Sequence, residues 1–219
     1  MPVRKIPKNH LSVTGNFASR KNRSMGGFES LLEKEYMMLL DFDADVESFE
    51  EQPVNIAVPG VPRGYTPDVL VHFHANTTTG QVRKPFLTEI KHTDDLKKNA
   101  EKYMSKFAAA EQYAAERNWE FGLTTEVEIR TIRLTNLKFL REYRNIAPKE
   151  ESCTQILDLV NEMDNVAPLQ GLLQRLAAND DEKLYWLPVI WHLVLIRRLI
   201  INLNAVIDSD VIFKLPEAA

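Results

Sequence analysis

The stretch that decides the fold runs from residue 65 to residue 91 and reads YTPDVLVHFHANTTTGQVRKPFLTEIK. It contains two apolar runs, about Thr66–His74 and Lys84–Lys91, separated by a polar segment that ends at Gly80. Runs rich in Val, Phe and Ile that are bounded by Asn, Thr, Gly and Pro are typical of β-strands joined by a turn. The sequence therefore predicts two neighbouring strands, with Pro67-Asp68 at the start of the first.

Charged side chains occupy matched positions on these two strands. Because side chains alternate along a strand, Glu89 and Lys91 share one face, and strand pairing can bring Asp68 beside Glu89. Two carboxylates offer the oxygen ligands that Mg²⁺ prefers, and a lysine on the same face can position water and stabilise a phosphate. The pattern predicts a site for phosphodiester hydrolysis, although Pro-Asp followed by Glu-x-Lys also arises by chance on solvent-facing strands.

A helix with acidic residues precedes the strands. Apolar residues recur at helical spacing from Gly27 to about Asp41. Glu33 lies at the edge of the apolar stripe, where a carboxylate can face the sheet, and Glu29 lies one turn earlier on the same side. Either residue could complete the site as a third acid, and Glu35 is a weaker candidate.

The remaining segments up to residue 147 predict an α/β domain. Val54–Val58 is expected to form a hairpin with the strand near Thr66, and a long helix is expected from Asp94 to about Arg117. Three shorter elements follow, namely strands at Phe121–Thr124 and Glu128–Leu134 and a helix at Asn136–Tyr143. The predicted order, αβββαββα, resembles that of PD-(D/E)xK nucleases, whose restriction-endonuclease-like fold is a mixed sheet flanked by helices.

A charged segment around Pro148, from Asn145 to Ser152, is the best candidate for a domain boundary. Beyond it lie three helical patterns and two short β-like runs, at Thr154–Met163, Pro168–Ala178, Glu182–Ile196, Ile200–Leu203 and Val211–Lys214. This order predicts a small, mostly helical, winged-helix-like domain. The predicted divisions are a flexible basic arm at 1–25, an endonuclease domain at 26–147 and an interaction domain at 148–219.

Basic residues are concentrated in two segments, although the net charge is only -4. The arm before Phe28 contains no acidic residue, and the helix after Lys91 has a lysine-rich face. Both segments could follow a phosphate backbone, but a solvated arm and a solvated helix face explain them equally well. The DNA-binding candidates are Lys21, Arg23, Lys97, Lys98 and Lys102.

Other catalytic classes lack their motifs in this sequence. It has no glycine-rich phosphate loop, no Gly-x-Ser-x-Gly and no His-Glu-x-x-His, which argues against an NTPase, a serine hydrolase and a zincin. His72 and His74 share a strand face, but a transition-metal site needs further ligands. The single cysteine, Cys153, fits a reducing bacterial cytoplasm, and Pro188 and charged residues break the apolar stretch Leu184–Leu203, which favours a buried helix over a membrane span.

Longer motifs make the sequence similar to one family. They are Glu29-Ser-Leu-Leu-Glu33, Asp41-Phe-Asp43, Phe49-Glu-Glu-Gln52-Pro53, Tyr65-Thr-Pro-Asp68 and Thr88-Glu-Ile-Lys91. In order and spacing they resemble the TnsA endonuclease subunit of bacterial heteromeric transposases over about residues 26–125. The C-terminal part is compatible with the winged-helix-like domain of that family but has no comparable motif.

This resemblance implies a Mg²⁺-dependent nuclease, with Mn²⁺ able to substitute, that nicks double-stranded DNA at the 5′ ends of a transposon. It also implies a TnsB-like transposase that acts on the 3′ ends, and a TnsC-like AAA+ ATPase that docks on the C-terminal domain; some such systems are guided by CRISPR effectors. The resemblance assigns Glu33 as the helix acid, Asp68 and Glu89 as metal ligands, and Lys91 as the catalytic lysine.

Two other functions remain open. A stand-alone nuclease, such as a resolvase or a restriction enzyme, would use the same residues but would need no docking domain. A non-catalytic adaptor would keep the fold only to bind DNA or partners, and intact Asp68, Glu89 and Lys91 count against it.

Overall fold

The structure is a computed structural model that describes residues 13–22, 25–77 and 79–216. The chain divides into two compact units, one up to Arg130 and one from Thr131. This division lies earlier than the predicted boundary at 147–148. The physical reason is that the segment after Thr131 packs within the second unit, where the rings of Phe139 and Trp191 lie 5.2 Å apart in an edge-on contact.

The first unit is built around a four-stranded mixed sheet. Its elements in chain order are β1 (Gly15–Phe17), β2 (Gly26–Phe28), α1 (Leu31–Phe42), β3 (Val46–Glu51), β4 (Ile56–Val58), β5 (Val61–Tyr65), β6 (Val69–Phe73), β7 (Phe86–Ile90), α2 (Thr93–Lys98), α3 (Ala100–Ala115), β8 (Glu120–Thr124) and α4 (Glu126–Ile129). The sheet order is β3-β6-β7-β8, with β7 and β8 parallel and the other neighbours antiparallel. The predicted α/β class is confirmed.

Strand pairing at the start of the sheet differs from the prediction. The sequence does not predict β3, because a register irregularity between Val46 and Ser48 removes the regular alternation that marks a strand. The expected hairpin of residues 54–58 with β6 is wrong. β4 pairs with β5 instead, across a turn in which Gly60 adopts φ 76°, and β6 pairs with β3 and β7.

The predicted strand Glu128–Leu134 is also wrong, because this segment contains the end of α4 and the start of the helix Ile132–Arg141. Thr125 caps α4: its hydroxyl accepts a hydrogen bond from the Val127 N–H at 3.2 Å, and its own N–H donates to Glu128 Oε2 at 2.8 Å. These bonds satisfy N–H groups that the first turn of a helix leaves unpaired. The Thr-x-x-Glu signature therefore outweighs the apolar alternation that suggested a strand.

Helix α3 packs on the sheet through an apolar core. Ala110 of α3 lies fully buried in a cluster of side chains from four strands, namely Ile56, Val58, Tyr65, Leu70 and Leu87. The predicted long helix is divided into α2 and α3 at Asn99, whose side chain donates to Asp95 Oδ1 at 2.7 Å. This packing fixes the ends of β5, β6 and β7 relative to one another.

The second unit contains α5 (Ile132–Arg141), α6 (Glu150–Glu162), β9 (Val166–Pro168), α7 (Leu169–Leu176), α8 (Asp180–Leu195) and β10 (Ile212–Lys214). The three helices predicted after residue 152 are confirmed as α6, α7 and α8. The two β-like runs predicted at Ile200–Leu203 and Val211–Lys214 are joined only by a single bridge of Ile200 to Lys214, and β10 pairs with β9 in an antiparallel arrangement instead. No helix in the described part of the chain is long and apolar enough to cross a membrane.

Candidate active site

Asp68 is fixed by main-chain hydrogen bonds to the neighbouring strand. It precedes β6, whose Val69 lies opposite Thr88 of β7. The Asp68 N–H donates to the Thr88 carbonyl at 3.1 Å, and the Ile90 N–H donates to Asp68 Oδ2 at 2.7 Å. Because both partners are backbone groups of β7, the register of the sheet sets the position of the Asp68 carboxylate.

Lys91 follows β7 and bridges two carboxylates. Its Nζ lies 2.8 Å from Glu89 Oε1 and 3.4 Å from Asp68 Oδ2. The predicted arrangement, in which Glu89 and Lys91 share a face beside Asp68, is present in the structure. We refer to Asp68, Glu89 and Lys91 as the central cluster.

Tyr65 holds the second oxygen of Glu89. Its hydroxyl donates to Glu89 Oε2 at 2.8 Å, and both residues are buried. The tyrosine ring packs near Phe107 of α3, with the ring centroids 6.3 Å apart. Sequence reasoning assigned Tyr65 no role, and its only signal was its place in the motif Tyr-Thr-Pro-Asp.

Glu33 lies in the first turn of α1 with both carboxylate oxygens engaged. Its Oε2 accepts from the Glu29 N–H at 2.7 Å and its Oε1 accepts from the Ser30 hydroxyl at 2.8 Å. Ser30 Oγ in turn accepts from the Glu33 N–H at 3.2 Å, so this reciprocal pair caps the helix. Burial, with the charge of Asp68, raises the pKa of Glu33 to about 7, which places Glu33 within electrostatic reach of the central cluster.

Glu29 and Glu35 lie in different surroundings, and Glu29 precedes α1 instead of lying one turn earlier on the helix as predicted, because Ser30 caps the helix. Burial and the charge of Glu29 both raise the pKa of Asp68, although Lys91 opposes them. Glu29 also lines the cavity over the central cluster. Glu35, in contrast, forms an ion pair of 2.8 Å with Arg130, so this weaker candidate links α1 to the end of α4.

Negative charge exceeds positive charge in the central cluster. Burial and the charge of Asp68 raise the pKa of Glu89 to about 7. Burial alone would lower the pKa of Lys91, but the carboxylates of Asp68 and Glu89 raise it above its ordinary value. Lys91 is therefore a fixed cation, and one ammonium group serves two carboxylates.

A cavity of about 650 Å³ opens over the central cluster. Besides the cluster it is lined by three cations, Arg63, Lys102 and Lys106. The Lys106 ammonium lies 5.9 Å from the ring centroids of both Tyr65 and Tyr103. We call Arg63, Lys102 and Lys106 the basic rim, since they put positive charge beside the carboxylates.

The basic rim overlaps only in part with the lysines predicted on the helix after β7. Lys102 lines the cavity, whereas Lys97 and Lys98 are exposed on α2 and are not among its lining residues. The sequence analysis missed Arg63, which lies in β5. Lys106, one turn beyond Lys102 on α3, belongs to the lysine-rich face that the sequence predicts. Helical spacing from Lys102 was the available signal for Lys106.

Of the two DNA-binding candidates in the N-terminal arm, only Lys21 lies within the described residues. The Lys21 ammonium donates to the main-chain carbonyls of Asp43 and Val46, so it ties the arm to the start of β3. Arg23 lies outside the described residues.

The side chains around the cavity suit a hard divalent cation by their chemistry. Within the described residues, no three His, Cys, Asp or Glu side chains are gathered as a formed metal site. Lys91 instead bridges Asp68 and Glu89. The donors nevertheless fit, because these carboxylates are buried with incomplete charge compensation. In addition, Gln52 lines the same cavity, and its amide oxygen is buried without a hydrogen-bond donor among the described residues.

Comparison with protein-family models follows the same division of the chain. A model described as TnsA-like endonuclease N terminal matches residues 43–126, which include the central cluster, and a model described as TnsA endonuclease C terminal matches residues 128–203. No curated protein matches the chain. The two models meet close to Arg130, where the compact units divide, and together they cover most of the sequence. The chain belongs to the TnsA endonuclease family.

Proposed function

We propose that this protein is the Mg²⁺-dependent endonuclease subunit of a Tn7-like transposase and nicks DNA at the 5′ ends of the transposon. Its membership of the TnsA endonuclease family supports nuclease activity. The observation that carries the proposal is the convergence of Asp68 and Glu89 on Lys91 Nζ, at 3.4 and 2.8 Å. Carboxylates that can hold a cation, beside a permanent positive charge, provide what phosphodiester hydrolysis requires.

Each residue of the site has a distinct proposed role. Asp68 and Glu89 would hold Mg²⁺, and Glu33 would contribute a third carboxylate from α1. When bound, Mg²⁺ supplies positive charge to phosphoryl oxygens as negative charge builds on them. Lys91 would orient the attacking water and stabilise the same charge, because its raised pKa keeps it protonated at neutral pH.

The basic rim supports a DNA substrate. Arg63, Lys102 and Lys106 line the same cavity as the carboxylates, so a phosphate backbone bound to them would pass the central cluster. Without such cations the carboxylates would repel the backbone. We therefore assign phosphate contacts to the basic rim rather than to Lys97 and Lys98.

The second unit is proposed to be a winged-helix-like docking module for a TnsC-like AAA+ ATPase, with a TnsB-like transposase completing the complex. Its match to the model described as TnsA endonuclease C terminal supports a role specific to this family. Its helices α6 to α8 and the small β9-β10 sheet provide the helical and β elements that such a module would use.

A strand-specific nicking assay tests the proposal. DNA carrying a transposon end, labelled separately on each strand, would be incubated with the protein and a TnsB-like transposase in Mg²⁺ or in EDTA. We expect a nick at the 5′ end of the transposon in Mg²⁺ and none in EDTA. A stand-alone nuclease would cut equally well without the transposase, and a non-catalytic adaptor would cut neither strand.

A further inference from the structure

Gln52 has an unusual backbone conformation beside the central cluster. It directly follows β3 and adopts φ 45°, in the left-handed region that residues other than glycine rarely occupy. Pro53 follows, and a residue before proline normally prefers an extended conformation. Such backbone strain is often found at functional sites.

The strained backbone is tied directly to Asp68. The Gln52 N–H donates to the Asp68 carbonyl at 2.8 Å, which continues the pairing of β3 with β6 beyond Glu51 and Val69. The same bond that helps to place Asp68 therefore also places Gln52. The side chain of Gln52 lines the cavity over the central cluster.

The side chain of Gln52 has an unsatisfied acceptor. The residue is only 6% exposed, and its Oε1 atom is buried with no hydrogen-bond donor among the described residues. Leaving a buried acceptor unpaired destabilises the folded protein, because the acceptor loses its hydrogen bonds to water. The strained backbone and the unpaired Oε1 atom of Gln52 both destabilise the folded protein, and a ligand bound in the cavity could offset this loss of stability.

We propose that Gln52 Oε1 is a further oxygen contact for the divalent cation, made directly or through a water of the cation. This inference rests on the proposed function, since it places the cation beside Asp68 and Glu89. An amide oxygen is a hard ligand of the kind that Mg²⁺ and Ca²⁺ accept. It also adds no negative charge, which matters because one ammonium group already serves two buried carboxylates.

The test measures Mn²⁺ binding to the full chain in the absence of DNA, from the electron paramagnetic resonance signal of free Mn²⁺. The principal variant is Gln52→Gly, because glycine adopts positive φ readily and the fold should be kept or stabilised. Asn118→Gly is the matched control. Asn118 also has positive φ, at 58°, but it is exposed and lies outside the cavity lining.

We expect Gln52→Gly to weaken Mn²⁺ binding by about tenfold or more, the scale seen when a metal site loses a supporting contact. Its melting temperature in EDTA should not fall, and Asn118→Gly should bind Mn²⁺ as the wild type does. Gln52→Glu keeps an oxygen at this place and should restore Mn²⁺ affinity to at least the wild-type level.

An Asp68→Asn variant separates the two proposals. If Asp68→Asn loses Mn²⁺ binding while Gln52→Gly binds as the wild type does, the assignment of Gln52 is overturned and the proposed function stands. A fall in DNA affinity in Gln52→Gly with unchanged Mn²⁺ affinity would also overturn it, in favour of a DNA contact. If the wild type binds no Mn²⁺, both proposals fail.

Discussion

The Lys91 ammonium lies 2.8 Å from Glu89 Oε1, and both groups are held at the end of one strand of the central sheet. This ion pair is buried on the glutamate side and only partly open on the lysine side. Lys91 therefore compensates carboxylate charge and remains available to a substrate in the cavity.

Replacing Lys91 should separate cation binding from cleavage. Lys91→Ala leaves Asp68 and Glu89 in place but removes the cation that stabilises charge on the phosphate, so we expect the nicking rate to fall at least about 10²-fold. Mn²⁺ should still bind. Lys97→Ala, on the exposed face of α2, is the control and should nick normally. Loss of Mn²⁺ binding in Lys91→Ala would contradict this division of roles.

Tyr65 is predicted to tune Glu89. Tyr65→Phe removes the hydroxyl that donates to Glu89 Oε2, and this bond lowers the pKa of Glu89. We expect the pKa of Glu89 to rise further, so the pH profile of nicking should move to higher pH, with a loss of about tenfold near neutral pH, equivalent to about 1.4 kcal/mol. Tyr113→Phe serves as the control. A pH profile identical to that of the wild type would remove Tyr65 from the site.

The basic rim should determine the salt dependence of DNA binding. Replacing Arg63, Lys102 and Lys106 together with alanine removes up to three phosphate contacts, and each contact contributes about 0.9 to the slope of log K against log salt. We expect a shallower slope by about two to three units. The double replacement of Lys97 and Lys98 should change it little. A larger change of slope on replacing Lys97 and Lys98 than on replacing the basic rim would place the DNA on α2.

Stability of the metal-free protein should fall as pH rises. Burial and the charge of Asp68 raise the pKa values of Glu33 and Glu89 from 4.5 to about 7 on folding. The folded state thus binds protons more tightly, and the stability that these groups contribute is fully present below pH 4.5 and is lost as pH rises through about 7.

Thermal unfolding in EDTA from about pH 5 to about pH 8 measures this effect. The melting temperature of the wild type should fall further over this range than that of Glu89→Gln, because the variant has one titrating carboxyl group fewer. Adding Mg²⁺ near pH 8 should recover the loss in the wild type. Parallel curves for the two proteins would show that Glu89 does not titrate in this window.

The central cluster could be predicted because local rules determine it. Alternation along one strand puts Glu89 and Lys91 on a common face, and the pairing of two consecutive strands brings Asp68 beside them. Glu33 lies on the predicted helix, whereas Glu29 precedes α1, which begins at Leu31. The sequence does not distinguish Glu33 from Glu29 as the third acid. In the structure both interact electrostatically with Asp68, since Asp68 raises the pKa of Glu33 and Glu29 raises the pKa of Asp68.

Site residues that are positioned by non-local strand pairing could not be predicted from the sequence. Gln52 reaches the cavity because β3 pairs with β6, and an irregular register hides β3 in the sequence. Arg63 arrives through the β4-β5 ribbon, whose pairing was assigned to the wrong strand. Near Arg130, where the compact units divide, the sequence predicted a strand from Glu128, but Glu128 belongs to α4, which Thr125 caps.

The most direct test of the account compares strand-specific nicking by the wild type and by Asp68→Asn, with Asp94→Asn on the exposed surface of α2 as the control. The asparagine keeps the size of Asp68 and an oxygen for the Ile90 N–H, but it removes the negative charge that would hold Mg²⁺. With matched circular dichroism and partner binding, we predict that Asp68→Asn nicks the 5′ end at least about 10³-fold more slowly, a loss of about 4 kcal/mol in transition-state stabilisation, while Asp94→Asn is unaffected. Nicking by Asp68→Asn at the wild-type rate would contradict the assignment of the central cluster as the active site.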